Sequence, residues 1–443
     1  MNCLLSWRGM VVAVVLGAAS SSAAAQEPDT TTSTYEVRGV RVIHRRAAND
    51  IVAANLYLLG GTREITFANA GIEPMLLRVS ERGTMRFTRE ALRRTFARTG
   101  GTVIVEGDAD WSVIGLRTTV SGFRETWPAF ADRVVAPRLD PADVATERSL
   151  TVSALAQRRD SPDALVEYLA DSVAFSNHPY GIDPQGTERS IGSLAPEALR
   201  AFHRAKFVTS RMLLVVVGNV ERAVLDSLVA STLGTMPAGA YRWTLPDTIA
   251  RRDARAFREA RALPTNYLLG YAPGPRADHA DYDALRVACT ILSGQLFSEI
   301  RSRQSLTYAV NAPFEERALS AVGLYVSTND PVAALAAMRE QIRSLQDMSL
   351  DQRSLAPIVQ LFITEYFLDN ETNAAQADFL ARGYLYLGDW KRASEFTNRI
   401  RAVTPDDVQR VMRRYFRDIT FAYVGDPARL PESALRAFSS TQR

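Results

Sequence analysis

The chain has 443 residues, 47% of them hydrophobic and 23% charged, with a formal net charge of +3. That length holds two or more ordinary domains, and the composition excludes a disordered, collagenous or disulfide-built chain. So small a charge, with no long block of one sign, gives no ground for nucleic-acid binding.

In chain order, residues 1–26 read as an export signal. Arg8 supplies the basic start, Met10 to Ala19 a short apolar run, and Ala23-Ala24-Ala25 the small residues a signal peptidase needs. The run is shorter than the roughly 20 residues that span a bilayer, and no later segment is long and apolar enough. Cys3 precedes the run, which does not suit a lipid anchor. These features predict a mature chain that begins near Gln26 and is periplasmic or secreted, with no membrane span. The one cysteine left is Cys289, in the apolar setting Val287-Ala288-Cys289-Thr290-Ile291, read as a buried free thiol.

Ile51 to Leu59 and Trp111 to Val120 have the β-branched, apolar character of strands. Between them, Glu73 to Arg98 has helical spacing, broken at Gly83-Thr84. Phe123 to Val135 and Pro141 to Ala156 follow as helices, with Asp140 the expected N-cap and Pro141 at the first helical position. Thr404-Pro405-Asp406-Asp407 repeats that start signal before the last helix. The Pro- and Arg-rich stretch after Met236 predicts a linker over 241–262, between a first lobe at 27–240 and a second at 263–443.

Three landmarks recur in order. Phe207 closing a helix is matched by Phe416, Gly218 after an apolar strand by Gly425, and Ser112-x-x-Gly115-Leu116 by Ser320-x-x-Gly323-Leu324, at intervals of 209, 207 and 208 residues. A common offset implies a duplicated unit of about 200 residues. The alternation of strands and helices within each copy implies an α+β fold of two tandem, homologous α/β-sandwich lobes.

A duplicated lobe of this size, with these strings, resembles the pitrilysin/insulinase-type metallopeptidase family and its LuxS-like metalloenzyme fold. The zinc helix of that family opens on Gly and an apolar residue, carries H-x-x-E-H and closes on Gly-Thr. Here Gly71-Ile72 and Gly83-Thr84 bracket the same length of chain. Glu147-Arg148, His178-Pro179-Tyr180-Gly181, and Leu296-Phe297 leading to Arg301 and Tyr308 are further matches, covering roughly residues 35 to 430.

Carried over position by position, the resemblance places Pro74 and Arg78 where the family has its zinc histidines. Leu77 stands where the general base would be, and Ala154 where the third ligand would be, seven residues after Glu147. Zinc needs lone-pair donors and catalysis needs a proton acceptor, and these four side chains supply neither. No H-x-x-E-H or H-E-x-x-H string occurs, and His44, His178, His203 and His279 do not stand at ligand spacing. His178 reads as part of a tight turn and His203 as a satisfied polar group on a helix. Glu73, Glu81 and Glu147 read as solvated or paired, Glu147 matching a supporting carboxylate of the peptide-cutting members. The expectation is a chain with no metal and no cofactor of its own.

In peptide-cutting members the second lobe lends substrate binding an Arg and a Tyr seven residues apart. Arg301 and Tyr308 match that spacing, with Arg303 a competing candidate and Ser305 where the family has Gly. Both groups donate hydrogen bonds to a peptide carbonyl. The resemblance thus implies the non-catalytic, substrate-binding subunit of a heterodimeric peptidase, whose zinc-bearing partner carries H-x-x-E-H and whose substrate is a peptide. The alternative is a scaffold or peptide-holding protein with no part in proteolysis.

Overall fold

A computed structural model describes residues 31–250, 254–347, 350–436 and 438–439; the expected signal peptide at 1–26 lies outside them. Two six-stranded arrays carry the fold. The first comprises β1 (Thr32–Val37), β2 (Val40–Arg45), β3 (Ile51–Leu59), β4 (Thr102–Gly107), β5 (Trp111–Thr119) and β6 (Met212–Val217), in the order β1-β2-β6-β3-β5-β4. The second comprises β7 (Arg255–Ala260), β8 (Asn266–Arg276), β9 (Thr307–Asn311), β10 (Phe314–Glu315), β11 (Leu319–Thr328) and β12 (Thr420–Gly425). Its order is β10-β11-β8-β12-β7, with β9 also paired to β11.

The two sheets share one wiring. In each, an early strand runs parallel to the last one, β2 with β6 and β7 with β12. In each, the last strand runs antiparallel to the one after that early strand, β6 with β3 and β12 with β8. The repeated landmarks fall on equivalent places. Phe207 and Phe416 end the helices Pro196–Lys206 and Pro405–Tyr415 with φ −88° and −86°. Gly218 and Gly425 leave the last strands at φ 156° and 159°; a Cβ on Gly218 would lie 2.9 Å from the Ile51 carbonyl oxygen, and one on Gly425 2.4 Å from Asn266 Oδ1. Glycine is needed there for backbone angle and for space alike.

Alternation along β3 explains how the lobes join. Val52, Ala54, Leu56 and Leu58 face the first lobe's own helices, together with Trp127 and Phe130. The opposite face, with Tyr57 and Leu59, packs against Leu380, Leu385 and Tyr386 of the helix Asn373–Leu387, which belongs to the second half of the chain. The exchange is reciprocal: Leu165 and Val166 of the helix Pro162–Ala174 cover Leu269, Ala422 and Val424 of β8 and β12. Both central strands are therefore buried on both faces, and so read as continuous apolar runs. A buried carboxylate pins this junction. Asp110 accepts from the Tyr180 hydroxyl at 2.5 Å, the Tyr386 hydroxyl at 2.8 Å and the Ala318 N–H at 2.8 Å.

Two expectations need correction. Strand β7 lies inside the stretch 241–262 expected as a linker, and Trp243 in its first part donates to the Leu385 carbonyl at 2.8 Å. Sequence concealed β7 because an edge strand keeps charged residues on its open side. Asp140 does stand at the N-cap of the helix Pro141–Asp160, but its carboxylate pairs with Arg138 at 2.6 Å and caps no helix N–H.

Candidate functional site

The short helix Ile72–Val79 follows β3 and the 3-10 turn Gly61–Glu64, with Gly71 turning the chain into it at φ 83°. Pro74 sits in the first turn, where no intrahelical hydrogen bond is lost, and its ring packs so closely on β4 that a Cβ on Gly107 would lie 2.4 Å from it. Leu77 is wholly buried. Arg78 reaches the helix Pro141–Asp160, where its Nε lies 3.4 Å from Glu147 Oε1, and Arg82 approaches the other oxygen at 3.2 Å. Arg78 also donates to Gln185 Oε1 at 3.3 Å, and Gln185 donates to the Gly107 carbonyl at 3.1 Å. Burial pulls the Arg78 guanidinium below its usual range, and the Glu147 charge opposes that shift. Ala154 stands two turns beyond Glu147, exposed.

These residues do not fit zinc. Pro74 and Ala154 have no side-chain donor atom, and Glu147 already neutralises a guanidinium that would repel a dication. Among the described residues no group of three or more His, Cys, Asp or Glu side chains is arranged to hold a metal. The helix is instead anchored by a buried ion pair: Glu73, 3% exposed, accepts from Arg211, 1% exposed, at 2.9 Å. Glu147 and Glu73 are thus paired, and Glu81 is exposed with Arg133 3.8 Å away.

The other singled-out residues fall into place structurally. His178 Nδ1 accepts from the Tyr180 N–H at 3.2 Å within a tight turn, and His203 Nε2 lies 2.7 Å from the Val134 carbonyl oxygen. Cys289 is a buried free thiol, its pKa pushed up by burial.

In the second lobe the helix Asp281–Leu296 continues into a wide π-helical turn, Phe297–Arg303, with the Gln304 N–H bonded to the Glu299 carbonyl at 3.0 Å. That turn and the left-handed Ser305, at φ 54°, swing the chain into β9 so that Tyr308 comes back over Arg301. The Arg301 guanidinium carbon lies 4.8 Å from the ring centres of both Phe297 and Tyr308. Tyr308 is 81% exposed. Arg303 is engaged elsewhere, ion-paired to Glu299 at 2.6 Å, which separates the two candidate arginines. Ser305 occupies a conformation that glycine adopts without strain, so the departure from the family's Gly leaves the turn intact. Sequence reasoning missed three partners: Phe297 as the second ring on Arg301, and Arg82 and Gln185 around Glu147 and Arg78. Phe297 was legible as the residue four before Arg301 on a helix; the other two come from distant segments.

Residues 193–361 match the family model described as the peptidase M16 inactive domain. An uncharacterized zinc protease of Mycobacterium leprae is 30% identical over 41% of this chain and 42% of its own length, so the match spans about two-fifths of that relative. The mitochondrial-processing peptidase subunit beta of Blastocladiella emersonii is 23% identical over 85% of this chain and 84% of its own length. Cytochrome b-c1 complex subunit 1 of Caenorhabditis elegans is 21% identical over 90% and 88%. Among solved structures, a protease from Helicobacter pylori superposes with a TM-score of 0.81 at 17% identity, over 89% of this chain and 99% of that one.

Proposed function

Because the chain belongs to the peptidase M16 family, the pitrilysin/insulinase-type metallopeptidases, as a homologue without the H-x-x-E-H zinc motif, we propose that it is the non-catalytic, substrate-binding subunit of a heterodimeric zinc peptidase. The partner is a homologous chain that carries H-x-x-E-H and the zinc. The observation behind this reading is Arg301. Its guanidinium lies against two aromatic rings, and among the described residues no acid or carbonyl engages its N–H donors. Guanidinium and phenol together offer donors to a peptide carbonyl and to the oxyanion formed when water attacks it. The likeness to a processing-peptidase subunit supports a paired assembly. The basic start, short apolar run and Ala-x-Ala ending of residues 1–26 support export to the periplasm or beyond, with a mature terminus near Gln26.

The second reading is a scaffold, favoured by the likeness to a cytochrome b-c1 complex subunit. Purification of the chain from its native source, with identification of what accompanies it and metal analysis of the assembly, separates the two. A stoichiometric H-x-x-E-H homologue carrying the zinc supports the first; isolation without such a homologue, or within a non-proteolytic assembly, supports the second.

A further inference from the structure

The charges that meet beside the helix Ile72–Val79 do not cancel. Glu147 turns one oxygen to Arg78, at 3.4 Å, and the other to Arg82, at 3.2 Å. One carboxylate thus serves two guanidiniums, and among the described residues no second acid is ion-paired to either. The surroundings do not make up the difference: Arg133, behind the same helix, has only the exposed Glu81, at 3.8 Å. The set is largely enclosed, with 13% of the Arg82 side chain and 12% of the Glu147 side chain exposed. Arg78, at 26%, is the member most open to solvent.

Two donors in this set lack a partner. Arg78 Nη2 and Arg82 Nε are buried and find no acceptor among the described residues. Arg78 is kept from turning to satisfy Nη2, because its Nη1 donates to Gln185 Oε1 at 3.3 Å and the Gln185 amide is itself fixed on the Gly107 carbonyl at 3.1 Å. A buried donor without an acceptor marks the place of a water or an ion. Water would satisfy the hydrogen bonds and leave the surplus charge; an anion answers both. One surplus charge calls for a monoanion, and the planar fork of a guanidinium matches the two oxygens of a carboxylate. The residues that do not fit zinc therefore fit a ligand of the opposite sign.

We propose that Arg78 and Arg82 bind a carboxylate, as the acidic side chain or the C-terminus of a peptide carries, at a site separate from Arg301 and Tyr308. It is a property of the isolated chain and holds with or without a zinc-bearing partner. The test is calorimetric titration of the purified chain with acetyl-Ala-Leu-Glu-Leu-Ala-amide, the same peptide with Gln at its centre, the Gln peptide with a free C-terminal carboxylate, and sodium phosphate. At least one carboxylate peptide is expected to bind about tenfold more tightly than the neutral peptide and than phosphate, and less tightly as salt rises; which of the two does so names the source. Arg82→Gln leaves Arg78 and Glu147 as a balanced pair and should erase the preference. Glu147→Gln removes the competing carboxylate and should tighten binding by about threefold or more, a gain that a purely structural ion pair would not give. Thermal melting checks both variants, and if one fails to fold the other decides. Carboxylate peptides that bind no better than the neutral one or than phosphate, or not at all at millimolar concentration, overturn the proposal. So does an unchanged preference in folded Arg82→Gln, or binding that is no tighter in folded Glu147→Gln.

Discussion

The two lobes enter their last strands differently. Ahead of β6 the first lobe buries Arg211 against Glu73 of the helix Ile72–Val79, whereas ahead of β12 the second lobe buries Ile419 at the corresponding position. One fold accepts an ion pair and an aliphatic plug at the same point. The lesson concerns the helix that the resemblance aligns with the family's zinc helix. Glu73–Arg211 ties it to the sheet, Pro74 packs on β4, and Arg78–Glu147 joins it to the neighbouring helix. Its position therefore rests on contacts that need no metal. The second lobe keeps its polar display outside the core, in Arg301 and Tyr308.

The largest effect should come from making the first lobe half like the second. Arg211→Ile leaves Glu73 charged and unpaired in the core, which costs about 3–5 kcal/mol. Adding Glu73→Leu removes the orphaned charge and should restore most of that loss. Urea melts of the parent, single and double variants measure this. A single variant as stable as the parent would show that the pair does not hold the helix.

In the second lobe, Tyr308→Phe keeps the ring over Arg301 and removes one exposed hydroxyl. Folding and pairing should be unchanged, while peptide turnover by the reconstituted pair falls by about 10²–10³, the usual loss for one oxyanion donor. Full activity in both this variant and Arg301→Ala, with normal assembly, would favour the scaffold reading.

In the mildly acidic range the buried histidines that respond belong to the first lobe. Burial holds His44, His178 and His203 below the usual imidazole range. The unfolded chain then binds more protons than the folded one near the ordinary histidine pKa. Their stabilising contribution is complete above that pKa and is lost as pH falls from about 6.5 toward the depressed folded values, by at most about 1.4 kcal/mol per pH unit for each group. Asp171, its carboxyl raised to about 6 by burial, opposes them over the same interval, so the histidine share is read by difference: His203→Gln should lose less melting temperature than the parent between about pH 6.5 and 5. A variant with the parent's pH profile would remove His203 from this account.

The smallest effect belongs to the turn before Tyr308. Ser305→Gly relieves left-handed strain but loosens the unfolded chain, so stability should rise by no more than about 1 kcal/mol. A clear loss on thermal melting would mean that the Ser305 side chain holds the turn.

Much of this was legible in the sequence. β3 and β5 announced themselves as apolar β-branched runs, and the recurring Phe, Gly and Ser-x-x-Gly-Leu landmarks marked the duplication, the Gly218/Gly425 pair standing where backbone angle and space both call for glycine. Pro74, Leu77, Arg78 and Ala154 were matched to the family's site by counting alone, from Gly71 and Glu147. The exchange of Pro162–Ala174 and Asn373–Leu387 between the sheets could not be read, since periodicity shows that a helix has a buried face and not which sheet covers it. Spacing to Tyr308 pointed to Arg301 but could not show that Arg303 is engaged; that depends on Glu299 lying one helical turn before Arg303 and taking it. Arg211 gave no sign of burial, because an arginine beside an apolar strand ordinarily faces solvent.

The central claim is that the first lobe has an ion pair where the family has a metal, and it is tested most directly by zinc analysis and peptide hydrolysis of the purified chain alone. After dialysis the account predicts no stoichiometric zinc and no chelator-sensitive cleavage. One equivalent of zinc together with cleavage that a chelator abolishes would contradict it.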